Sequence, residues 1–131
     1  MEADDKRIAA EDARRHWNSL DTALIEATKA CLILNGGSVV AMLGLLQNLL
    51  AKSQGTAFKP YALGAAALFL IGAVCVVPAF GHRSAMFRKI LAGNAEEAVH
   101  RDNSSLTWLG GSILAFVLGA IAAGAGIAIA L

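Results

Sequence analysis

The sequence predicts an all-α integral membrane protein with three transmembrane helices, a long amphipathic N-terminal helix continuous with the first span, and a helical cytoplasmic loop. Two observations lead there. The chain has 131 residues, of which 56% are hydrophobic, more than soluble domains of this length usually have. Its 11 Lys and Arg and its 10 Asp and Glu all lie outside three apolar gaps, residues 31–51, 61–81 and 106–131. Each gap is roughly twenty residues or longer, the length a helix rising about 1.5 Å per residue needs to cross a hydrocarbon layer of about 30 Å.

Residues 1–30 form the first segment, and they are patterned as well as charged. From Ala10 through Ala13, Trp17, Leu20, Leu24 and Ala27 to Cys31, apolar residues recur in steps of three and four, a single helical stripe with charges on the other face. Glu11 with Arg15 is a favourable i, i+4 pair. The start is acidic and charged, unlike a secretory signal. No Pro or Gly interrupts residues 3–35, so one helix is expected from about Asp5 to Ala51.

Residues 52–60, with Gly55 and Pro60 as breakers, read as an external loop. Residues 61–81 are the second span, kinked by Pro78 near its end. Residues 82–105 read as a helical loop: Met86, Phe87, Ile90 and Leu91 share a side, Gly93 marks a helix end, and Asn94 with Glu97 resembles a capping box. Asn103 or Ser104 is the expected cap of the third span, residues 106–131.

Orientation follows from where the basic residues fall. Arg14, Arg15 and Lys29 precede the first span, Arg83, Arg88, Lys89 and Arg101 lie in the second loop, and the first loop has Lys52 and Lys59. The N-terminus and second loop are therefore expected in the cytoplasm and the carboxyl end outside. Tyr61 and Trp108 stand where interfacial aromatics stand. With helical spans and no signal peptide, the host is expected to be a bacterial inner membrane. On the cytoplasmic side Trp17, Leu20 and Leu24 are expected to pack against Phe87 and Leu91, or to lie on lipid headgroups.

Inside the spans, "LNGGSVV" (residues 34–40) and "LGGSILA" (109–115) share a Gly-Gly-Ser core. Each has a Gly-x-x-x-Ala pair, Gly37 with Ala41 and Gly111 with Ala115. In lipid, small residues allow the close approach on which helix association depends. Asn35, Gly36, Gly37, Ser38, Ala41, Gly110, Gly111, Ser112 and Ala115 are thus the candidates for helix packing, or for lining a pore. Ser38 and Ser112 are expected at similar depth. Asn35 is the costliest of the set, because its amide needs partners where there is no water. Ser112, a glycine-bared backbone, or Asn35 of a second copy could supply them. The "NGGSVV" stretch behind a charged helix loosely resembles the first span of small bacterial membrane proteins with an Asn-Gly-Gly-small segment. That resemblance covers about the first fifty residues and implies no activity.

Catalytic chemistry finds no support. His16, His82 and His100 are scattered, no serine has a nearby base, and no glycine loop carries a phosphate-binding lysine. No metal or cofactor site is expected, and the near-neutral charge with no basic patch argues against nucleic acid. Small residues on successive turns of all three spans imply more contact than three helices provide, so a homo-oligomer is expected. The leading expectation is an oligomeric scaffold or accessory subunit in the lipid bilayer, its charged helix docking to itself or to another protein. The alternative is a holin-like pore former or membrane-disrupting effector.

Overall fold

The computed structural model describes residues 2–51 and 55–130. It contains three helices: α1 (Glu2–Ala51), α2 (Gly55–Leu91) and α3 (Ala95–Ala130). All three are long and apolar enough to cross a membrane. The side chains of Ala10 and Ala13, residues 52–54 of the expected loop, and Leu131 lie outside the described set.

The helices alternate in direction. At one end Asp21, Arg83 and Asp102 meet; at the other, Leu46, Phe58 and Ala123 share a core. Helix α2 is central, packing chiefly against α3 and then α1, while α1 and α3 touch little. Its inner face has a strict rhythm. Starting at Phe58, buried positions follow in alternating steps of four and three through Ala62, Ala65, Phe69 and Gly72, then Val76, Ala79, Arg83 and Met86. This 3.5-residue period is the seam of a left-handed bundle. Helix α3 answers with small residues exactly one heptad apart: Ala98, Ser105, Ser112, Gly119 and Gly126 are all buried.

Small residues inside and large ones outside is the arrangement helices adopt where lipid, not water, is the alternative surrounding. Leu63, Leu70, Ile71, Val74 and Val77 of α2 are exposed. Two glycines of α3 work as seats for aromatic rings. A Cβ on Gly119 would fall 2.7 Å from the Phe69 ring, and one on Gly126 would fall 3.0 Å from the Phe58 ring. Phe69 also meets Phe116 with centroids 5.6 Å apart and planes tilted by 44°, a favourable aromatic geometry.

Several boundaries differ from the expectation. The first connection, expected over residues 52–60, is much shorter, since α2 already begins at Gly55. Phe58, assigned to that loop, is fully buried. Pro60 removes one helical bond and leaves the carbonyl of Thr56 without its partner, near the start of the helix where Thr56 is exposed. Pro78 likewise lies inside α2 without ending it. Nor do Asn103 and Ser104 cap a third span: α3 runs unbroken from Ala95, so residues 82–105 are the extensions of α2 and α3 with one tight turn between them. Thr107 and Ser104 bond back to the carbonyls of Asn103 and His100, 2.9 and 3.0 Å away, the helix-interior alternative to capping.

That turn is built on Gly93, with φ of 76°. Gly93 N–H donates to Ile90 O and Asn94 N–H to Lys89 O, both at 3.0 Å, the pair of bonds that closes a helix on a left-handed glycine. Asn94 then caps α3, accepting from Glu97 N–H at 3.2 Å and donating from its amide to Glu97 Oε2 at 3.1 Å. Lys89 reaches the same Glu97 carboxylate at 2.9 Å. This bond, with the nearby charges of Lys89, Arg101 and His100, holds the Glu97 pKa below its ordinary 4.5 against a smaller opposing effect of burial. A depressed carboxyl pKa contributes stability that is present above the unfolded value and lost as pH falls through the folded one. Protection of the turn amides against exchange, taken relative to the intrinsic rate at each pH, should therefore be greater at pH 7 and fall below about pH 4.5. In Lys89→Met that loss of protection in acid should shrink; an unchanged profile would show that the contact does not act on the turn.

Candidate functional site

The bundle holds two buried polar clusters joined by a third contact, ascending from the charged end. Arg83, on the inner face of α2, is the first. Its side chain is 11% exposed, and its guanidinium bridges both neighbouring helices: Nε to Asp21 Oδ1 at 2.9 Å, and Nη1 to Asp102 Oδ1 at 2.8 Å. The guanidinium fork suits this, since its donors diverge in a plane. Phe87 lies 5.9 Å from the guanidinium carbon. One residue thus ties all three helices together, and the three charges sum to one negative.

One turn further in, Ser105 Oγ donates to Ala79 O at 2.8 Å, joining α3 to α2 beside Pro78. Deeper still is Asn35, 1% exposed. Its Nδ2 donates to Cys31 O on its own helix at 3.0 Å and to Ser112 Oγ on α3 at 3.1 Å, with Ser112 O at 3.5 Å. Its Oδ1 has no hydrogen-bond partner and faces Gly72, where a Cβ would stand 2.7 Å from the Asn35 Cγ. Gly72 is therefore the vacancy in α2 that lets the amide sit between α1 and α3. Beyond this layer the interior is apolar, filled by Met42, Leu46, Phe58 and Phe69.

Of the packing candidates, Asn35, Ser112 and Ala115 are buried between helices. Ser38 is half-buried and Ala41 exposed. The two Gly-Gly-Ser copies are not equivalent: Gly36, Gly37 and Gly110 have open space where a side chain would go, and Gly111 would meet Cys75 Sγ at 4.0 Å. The close approaches are made instead at Gly72, Gly119 and Gly126. Nor do Ser38 and Ser112 face each other, since it is Asn35 that meets Ser112, three residues earlier on α1.

At the charged end Trp17 and Phe87 border a common cavity with Met86 and Ile90. Leu24 is half-buried. Leu20 is 48% and Leu91 87% exposed, so neither is enclosed. The α1 face turned inward carries Asp21, Ile25 and Thr28 beside Leu24. The ion triad went unrecognised in the sequence because Arg83 reads as one of several topogenic charges. The signal was available: Arg83 keeps the four-three rhythm of α2. Among the described residues, no cluster of three or more His, Cys, Asp or Glu is placed to hold a metal.

Comparison with family descriptions, curated proteins and solved structures finds no match for this chain.

Proposed function

We propose that the protein is an integral subunit of a bacterial inner membrane that acts by assembly, as a homo-oligomeric scaffold or accessory subunit. In this reading the N-terminus and the α2–α3 turn lie in the cytoplasm and the carboxyl end outside, in keeping with the basic residues at that end of the bundle. The charged start of α1 is then the docking element for a further copy or another protein. One observation carries the reading. The contacts within one chain use Gly72, Gly119 and Gly126, whereas Gly36, Gly37 and Gly44 on α1 and Gly110 and Gly124 on α3 have open space around them. Bared backbone in an apolar helix is suited to a second helix.

A pore is less well supported, because Asn35 and Ser112, the polar residues it would most need, are bonded to each other inside a single chain. The test is native mass spectrometry of the protein released from micelles, with cross-linking in membranes as a second measure. Wild type should run as one oligomer. Gly37→Ile with Gly124→Ile should shift it to monomer at unchanged helicity, since a Cβ at either position has no atom of another helix of its own chain within 4 Å. A monomeric wild type, or an oligomer indifferent to both substitutions, would remove the basis of the proposal.

A further inference from the structure

The charged end of the bundle is loosely filled. A cavity of about 390 Å³ opens between α1 and α2, lined by Trp17, Asn18, Asp21, Arg83, Met86, Phe87 and Ile90. That is at the lower end of small-molecule sites. A smaller hollow of about 190 Å³ lies across Met86 and Ile90, next to Asp102. Trp17 borders both and is 62% exposed, so its indole walls the space without filling it.

The electrostatics of this space are one-sided. Arg83 answers one negative charge of the two offered by Asp21 and Asp102, whose side chains are only 27% and 30% exposed. Among the described residues no second cation pairs with either carboxylate. Away from bulk water a residual charge acts more strongly than at an open surface. Phe87 already faces Arg83, whereas among the described residues no cation is placed over Trp17, the better cation-binding ring.

The geometry points to a binding site for a lipophilic organic cation, an amine or quaternary ammonium on an apolar body. The ammonium sits against Asp21 and the Trp17 face, and the hydrocarbon covers Met86, Phe87 and Ile90. An anion would meet uncompensated carboxylate, and a neutral hydrocarbon would leave the surplus charge unanswered. A free cation fits better than an ammonium-bearing lipid headgroup, whose phosphate would come to lie beside Asp21 and Asp102. This inference is independent of the assembly reading.

The test uses the full chain in maltoside micelles with Trp108→Phe, which leaves Trp17 as its one indole. Tetrapropylammonium chloride is titrated against matched sodium chloride while Trp17 emission is followed. A saturating change is expected, with none from sodium butanesulfonate. Asp102→Asn neutralises the triad and keeps the Arg83–Asp21 pair; it should weaken the apparent affinity at least tenfold. Phe87→Leu, at a half-exposed position, should weaken it severalfold and decides the matter if the Asp102 variant loses helicity. No response, a response that does not saturate, one matched by butanesulfonate, or one unchanged by Phe87→Leu would overturn the proposal.

Discussion

Arg83→Ala should be the most damaging single substitution in this chain, lowering stability by about 3 kcal/mol, the lower part of the range for stripping one partner from a buried ion group. The lower part applies because Asp21 and Asp102 keep some access to solvent. The loss comes from the carboxylates left behind: two like charges on α1 and α3 would face one another across the space the guanidinium vacates. Unfolding in detergent, followed by circular dichroism, measures it. If this cause is right, Arg83→Met combined with Asp21→Asn and Asp102→Asn should recover most of the loss, because apolar replacements of buried ion groups are often neutral. An Arg83→Ala variant as stable as wild type would show that the triad is a solvated surface feature.

Gly72→Ala should cost about 1–3 kcal/mol, the usual penalty for overpacking, even though alanine favours a helix by up to about 1 kcal/mol. The added methyl occupies the place of the Asn35 amide. Asn35 must then rotate, losing Ser112 and placing its donors in apolar surroundings. A second substitution isolates this effect. With Asn35→Ala in the same chain, Gly72→Ala should become nearly harmless, and the double-mutant cycle should report a coupling above about 1 kcal/mol. Gly37→Ala is the matched control: a Cβ there meets no atom of another helix within 4 Å, so the monomer fold should not weaken. Equal effects at Gly72 and Gly37 would mean that the Asn35 seat does not order the bundle.

These two clusters also show where sequence reading succeeds and where it stops. The number of long apolar helices, their approximate cores and the turn at Gly93 and Asn94 were all legible, because each depends on local signals: charge-free length, a left-handed glycine, a capping side chain. The need of Asn35 for a partner was legible too, and Ser112 was among the candidates. Its third neighbour was not, since Gly72 looks no different in the sequence from Gly64, which meets nothing. The same ambiguity misplaced the glycine contacts at Gly37. A span is apolar all round, so hydrophobicity cannot say which side faces a neighbouring helix.

Loop assignment failed for a related reason. Gly55 and Pro60 act as breakers in the middle of a helix, yet Gly55 is the first residue of α2 and Pro60 lies in its second turn, where the one carbonyl that loses its partner belongs to the exposed Thr56. Phe58 was lost with them. Only its burial against Gly126 shows that the helix reaches so far.

Sequence alone determined that this is an all-helical chain with three long apolar segments and a charged end, because length, charge and capping are properties of neighbours along the chain. Tertiary structure decided which small residues become seats, that Asn35 meets Ser112 over Gly72, and that Arg83 joins Asp21 to Asp102. Those pairings depend on helix rotation and register, which residues far apart in the chain settle together through steric fit and charge.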